Sequence, residues 1–424
     1  MVIKLNSRKY KVIFAGFLID GNGNSVENVV IIIKDNIIQD IKKEDEVVLP
    51  DKNNSVHIHA ENSFVLPGLI DAHTHLQLNQ GDGEFEMISE NIPYQTLKAS
   101  NNAKKTLNSG YTTVRDLGAE GLIDLGLRDA INNGYTLGPR MYVSGYKVIP
   151  TGADFQEYPE KLKIKNRYTM DSPYEIRRAV RRLASLGVDL IKVMTSGRTF
   201  RKSSNPDSPT YTYKELETVV VEAHNLGLRV SAHAHGKKGV KLALQTGCDT
   251  LEHGTELEDI DIQYMVENDI YLIPTFSYSG QIIKMDKDCP LPEYIIKKAL
   301  KSRNKRLDSF KRAYKAGVKI AAGSDSGMPF VEHGNNVLEL VEFVKAGMTE
   351  MEAIVSSTKT AAEAIGISDK IGTIEKNKYA DIIIVKKNPL EDIEHLNEKD
   401  NIQVVIKDGT IVKNINLRDG RLLI

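Results

Sequence analysis

The sequence predicts an α/β protein: a TIM-type (β/α)8 barrel flanked by a small β-sandwich drawn from both ends of the chain. Three observations lead there. Short apolar runs alternate with longer amphipathic segments over residues 67–367. β-rich runs broken by turn signals fill residues 1–66, and the same texture returns over 368–424. Repeated βα units imply a parallel sheet, and roughly three hundred residues suit eight closed units better than most open sheets.

The first β-rich stretch carries Val29-Val30-Ile31-Ile32-Ile33 and Ile37-Ile38, separated by turns such as Asp20-Gly21-Asn22-Gly23. The last carries Asp381-Ile382-Ile383-Ile384-Val385, Val404-Val405-Ile406 and Ile411-Val412, with turns at Asn388-Pro389 and Asp408-Gly409. Two matching ends around different material predict one sheet domain assembled from both termini. In between, strands are expected at 66–73, 112–116, 140–144, 190–194, 229–233, 250–253, 271–274 and 319–325, with helices such as 175–186, 214–226 and 301–316. Several strands end in groups able to bind metal or move protons: His73 and His75, Asp116, Lys192, His233 and His235, His253, and Asp325. In a barrel of this type such ends converge at one mouth.

Composition narrows the function. With 56 basic against 57 acidic residues, no overall field points to nucleic acid or an anionic membrane. Cys248 and Cys289 are the two cysteines, too few for a disulfide framework and without CxxC spacing. The first ten residues lack the charged start and apolar stretch of a secretory signal, and no run reaches membrane-spanning length, so a cytoplasmic protein is expected.

His73 and His75 lie at i and i+2, on one face of an extended segment, where both imidazoles can reach one cation while Thr74 points away. An isolated HxH also occurs among ordinary histidines, so its meaning depends on the other strand ends. His224, His57, His59, His333 and His395 read as structural or solvated.

The motifs VLPGLIDAHTHL at 65–76, TTVRDLG at 112–118, IKVMTSG at 191–197, SAHAHG at 231–236, LEHGT at 251–255 and AAGSDSG at 321–327 occur in order. With IGTIEKNKYADIIIVKKNPLEDI at 371–393, they resemble the amidohydrolase superfamily over nearly the whole chain. The nearest branch is that related to imidazolonepropionase, particularly its binuclear metal-dependent carboxypeptidases and Xaa-Pro dipeptidases. The resemblance implies metal ligands at His73, His75, His233, His253 and Asp325, and a bridging Lys192. A lysine ammonium has donors only, so that role implies a carbamate formed from carbon dioxide. Two divalent ions, zinc by type, are implied as cofactors.

The implied reaction is hydrolysis of an amide bond in a small carboxylated substrate, a dipeptide or an N-acyl amino acid. A metal-bridging hydroxide attacks, with Asp325 as proton shuttle. His235 is a candidate to stabilise the oxyanion or meet the substrate carboxylate. Arg198 and Arg201 are candidates for that carboxylate, since guanidinium pairs with planar anions. Two departures touch the specificity loops. Arg198 replaces a second glycine in Thr195-Ser196-Gly197-Arg198, and Thr151-Gly152-Ala153-Asp154-Phe155 replaces the branch's TGGHG. A cyclic-amide hydrolase is the alternative enzyme. A deaminase would carry a glutamate shortly after the fifth-strand histidine, where this chain reads Ala234-His235-Gly236. A non-catalytic barrel scaffold is the remaining alternative, and homo-oligomerisation is implied by the resemblance.

Overall fold

The computed structural model describes residues 8–79, 89–151, 153, 169–198, 204–414, 417–418 and 421–423. The chain opens with strands β1 (Tyr10–Ile19), β2 (Ser25–Lys34), β3 (Ile37–Lys43) and β4 (Ser55–Pro67). β1 pairs antiparallel with β2 and parallel with β4. The alternation along β1 and β2 sends Ile13, Ala15, Ile31 and Ile33 to one apolar face and Val12, Phe14, Val30 and Ile32 to the other.

The barrel strands are β5 (Leu69–Thr74), β6 (Tyr111–Asp116), β7 (Arg140–Val143), β8 (Leu190–Met194), β9 (Arg229–Ala234), β10 (Thr250–His253) and β11 (Tyr271–Ile273). All neighbours are parallel, in the orders β5-β6-β7 and β8-β9-β10-β11. Backbone bonds join these arcs into a ring. On one side Asp189 N donates to Val143 O at 2.8 Å and Val148 N to Lys192 O at 2.8 Å. On the other, Leu272 N donates to Lys319 O at 2.9 Å, Ala72 N to Ala322 O at 2.9 Å and Asp325 N to His73 O at 2.7 Å.

The eighth unit is therefore a narrow, irregular segment rather than the continuous strand expected over 319–325. The cause is crowding: a Cβ at Gly323 would lie 2.5 Å from Ile273 Cγ2 and 2.7 Å from His73 Cβ, and Asp325 sits at φ 55°.

Helices cover the ring. Those between β5 and β8 are α1 (Ile92–Asn108), α2 (Ile123–Asn132) and α3 (Pro173–Ser185). α3 starts where the Ser172 side chain caps Glu175 N, with proline at the first turn, and it buries Ile176, Ala179, Val180 and Leu183, one stripe at helical spacing. Then come α4 (Tyr213–Asn225), α5 (Lys237–Thr246), α6 (Asp259–Glu267), α7 (Ser277–Met285) and α8 (Glu293–Ala316). α4 opens with a reciprocal capping box between Thr212 and Glu215. α9 (Leu338–Ala346), α10 (Glu350–Ser356) and α11 (Lys359–Ile365) complete the layer.

Period-2 alternation explains which strand residues face inward. Along β9, Val230, Ala232 and Ala234 join the helix-facing core, leaving Ser231 and His233 for the interior. β12 (Ile382–Val385) and β13 (Ile402–Lys407) repeat the pattern: Ile382, Ile384, Val404 and Ile406 fill the small domain's own core, while Ile383, Val385 and Val405 pack on the barrel. With β14 (Thr410–Asn414), the sheet order is β14-β13-β12-β4-β1-β2-β3, with short β15 (Leu417–Arg418) and β16 (Arg421–Leu423) off that path. Ile38 N donates to Lys378 O and Asn377 N to Ile38 O, so β3 returns to the segment leading into β12 and the sheet rolls around its core. Arg140, at the amino end of β7, pairs with Asp381 and Asp408. This link between sheet and barrel lies at the opposite end of the strands from the histidines.

Candidate active site

At the carboxyl ends of the strands a cavity of about 60 Å³ is lined by His73, His75, Lys192, His233, His235, His253 and Asp325. Lys147, Arg198, Arg306, Thr275 and Tyr278 complete its polar wall, and Leu78, Met194 and Met328 its apolar one. The structure thus brings together every expected ligand, His235 and Arg198. Arg201 and part of the 151–155 departure lie outside the described residues. Asp116 does not line the cavity; its Oδ2 accepts from Leu76 N at 3.0 Å, and burial beside Asp124 pushes its carboxyl up to about 8.

The candidate ligand atoms fall into two groups, His73, His75 and Asp325, and His233, His235 and His253, each with its donor atoms within 4.8 Å of one another. Asp325 Oδ1 stands 3.5 Å from His73 Nε2 and 3.4 Å from His75 Nε2. Donors about 2.0–2.1 Å from a tetrahedral zinc are about 3.3 Å apart, so these separations match those of a metal shell. Four atoms inside are buried without a hydrogen-bond partner among the described residues: His75 Nδ1, Lys192 Nζ, His233 Nε2 and Asp325 Oδ1. Unpaired buried polar atoms are costly and rare in finished structures, and a bound cation is one way to satisfy such a set.

Burial dominates the electrostatics. It lowers His75 to about 3, with Lys147 nearby adding to the effect, and takes His233, His235 and His253 well below the usual imidazole range. Neutral imidazole is the metal-binding form. Burial also lowers Lys192 to about 7. Burial alone would raise Asp325, but His73, His75 and Lys192 outweigh it and hold the carboxyl below its ordinary range.

Beneath the cluster lie groups that sequence reasoning missed. Glu252, fully buried in β10, accepts from His73 Nδ1 at 2.7 Å, Arg115 Nη2 at 2.7 Å, Ser231 Oγ at 2.7 Å and Thr250 Oγ1 at 2.6 Å. A carboxylate at Nδ1 fixes the proton there and turns a bare Nε2 toward Asp325. Asp71 takes Ser324 N at 3.0 Å and Asn336 Nδ2 at 2.6 Å, tying the eighth segment to β5. His253 Nδ1 meets Thr275 Oγ1 at 2.6 Å, and His235 Nδ1 meets Thr255 Oγ1 at 2.8 Å. The available signal was strand parity: Asp71 shares a face with His73, and Glu252 with Thr250, in positions where a barrel interior is otherwise apolar. His253, Thr275 and Asp325 all hold positive φ, at 71°, 55° and 55°, strain that gathers at this mouth.

The model of the amidohydrolase family matches residues 64–412, most of the chain and all of the site. The chain belongs to the amidohydrolase family. As an amidohydrolase it is 30% identical over 442 residues to ochratoxinase of Aspergillus niger, across 97% of this chain and 88% of that one. It is 22% identical to imidazolonepropionase of Clostridium tetani, across 92% of each. Among solved structures, a Xaa-Pro dipeptidase with methionine bound in its active site shares 36% identity and a TM-score of 0.85, covering 96% of this amidohydrolase and all of that chain. These likenesses agree with the expected branch and with a (β/α)8 barrel bearing a β-sandwich.

His333 is buried outside the cavity lining, with Nε2 against Leu78 O at 2.9 Å. His224 pairs with Asp249 and His395 with Asn388 O, in keeping with structural roles. No helix among the described residues is long and apolar enough to cross a membrane.

Proposed function

We propose that this amidohydrolase is a binuclear metal-dependent enzyme that cleaves an amide bond of a small carboxylated substrate, a dipeptide or an N-acyl amino acid. The observation that supports this most is the pair of three-residue ligand groups, one with spacings of 3.4 and 3.5 Å. His73, His75 and Asp325 would hold one ion, zinc by donor type, and His233 and His253 the other. Lys192 stands within the same cavity, its Nζ buried and without a hydrogen-bond partner among the described residues. Addition of its neutral amine to carbon dioxide, with loss of one proton, would give a carbamate with two oxygens for bridging.

Bound there, the metals would polarise the scissile carbonyl and bring a water's pKa to about neutral. Asp325, ionised and facing His73 and His75, would take the proton released from that water and pass it to the leaving nitrogen, since an amine leaves poorly as an anion. His235, neutral and oriented by Thr255, would steady the developing oxyanion. Arg198, at the cavity wall, would meet the substrate's anionic end. Leu78, Met194 and Met328 would keep that region dry.

A screen of Xaa-Pro and Xaa-Arg dipeptides and N-acyl amino acids, with zinc and bicarbonate supplied, tests the reading. Cleavage is expected for at least one carboxylated amide, and Asp325→Asn should lower kcat by about 10²- to 10⁴-fold with the fold intact. Turnover confined to lactams or imidazolones would move the substrate class to cyclic amides. Inactivity throughout would favour a binding scaffold.

A further inference from the structure

Buried arginines in this protein generally face carboxylates: Arg115 meets Glu252, Arg140 meets Asp381 and Arg303 meets Glu342. Arg306 differs. It projects from the middle of α8 into the wall of the cavity, is 5% exposed, and has no ion pair among the described residues. Its Nη1 is committed to backbone, donating to Pro274 O at 3.1 Å and Thr275 O at 2.5 Å. Its Nε is buried without a partner, and its Nη2 makes no hydrogen bond among the described residues. The guanidinium is close enough to His235 and His253 to depress the basicity of both.

A guanidinium taken out of water with Nε buried and unmatched carries a desolvation cost that the nearby Phe276 ring and the Glu339 and Asp325 carboxylates offset only in part. It also presents a planar donor edge beside the ligand cluster, and a planar donor edge pairs best with a carboxylate. We propose that Arg306 is the anchor for the substrate's carboxylate. This rests on reading the site as a hydrolase of carboxylated amides, and it puts the specificity-determining contact on α8 rather than only on the loop that bears Arg198. The Nη1 edge holds Thr275, whose hydroxyl meets His253, so the anchor is rigidly referenced to the ligand cluster. A substrate whose carboxylate docks on the other edge is positioned with its amide toward the histidines.

Calorimetric titration of the zinc-loaded protein with L-methionine and with L-methioninamide, neither of which carries an N-acylated amino group to cleave, tests this without requiring turnover. The wild-type protein should bind the acid at least about tenfold more tightly than the amide. Arg306→Gln should weaken the acid by about 10- to 100-fold and leave the amide within about threefold, with zinc content unchanged. Arg306→Lys, which keeps a cation but loses the planar fork, should restore part of the preference. Equal weakening of acid and amide, or loss of zinc in both variants, would reduce Arg306 to a structural prop and overturn the proposal. So would a wild-type protein that does not distinguish acid from amide. If the acid preference depends on Arg306 but no amide is ever cleaved, the anchor stands and the hydrolytic reading fails.

Discussion

Glu252 and His233 lie on neighbouring strands of one barrel, both buried, yet their surroundings are opposite. Glu252 receives four donors, two of them from Arg115 and His73, and burial's tendency to raise its carboxyl is outweighed so that it stays ionised. His233, the register partner of Glu252 on β9, keeps Nε2 without a hydrogen-bond partner among the described residues, as do Lys192 Nζ and Asp325 Oδ1 in the same cavity. The contrast separates scaffold from candidate site: the Glu252 layer is complete within the protein, whereas the cavity layer keeps buried polar atoms without hydrogen-bond partners among the described residues. The Glu252 layer orients the cavity layer through His73, whose two nitrogens serve one layer each.

That division can be broken from below. Arg115→Met leaves the Glu252 carboxylate buried without its main counter-charge, and removing one partner of such a pair costs about 3–5 kcal/mol. Denaturant titration should show a loss of that order even in metal-free protein. An unchanged midpoint would mean that the Glu252 layer is not structural.

A smaller effect should follow from Glu252→Gln. An amide can accept from only one of the two strong donors, and its NH2 would push the His73 proton toward Nε2, the atom facing Asp325. Competition against a chromogenic chelator should show zinc affinity reduced by about 10- to 100-fold, on top of the stability loss that removing the counter-charge of buried Arg115 brings to the metal-free protein. A fall in stability without a change in affinity would reverse the roles assigned to the two layers.

Much of this was legible in the sequence, for identifiable reasons. The expected ligands His73, His75, Lys192, His233, His253 and Asp325 lie in or at the ends of the short strand-like runs, so the barrel rule places them toward one mouth. Asp71 shares the parity of His73 and Glu252 that of Thr250, but each carboxylate lies inside a motif dominated by its histidines. Arg306 and Thr275 were not legible, because their contact joins a helix interior to a strand end across 31 residues and shows no local periodicity. The break in the eighth strand was equally hidden. It depends on how closely Gly323 approaches His73, a distance fixed only when the ring closes.

The central claim, that the unsatisfied layer holds two metals bridged through Lys192, is tested most directly by metal stoichiometry. Protein loaded with zinc in the presence of bicarbonate and then desalted should carry two equivalents per chain by plasma mass spectrometry, and Lys192→Ala should carry one or fewer. One equivalent in the unaltered protein, unaffected by Lys192→Ala, would contradict it.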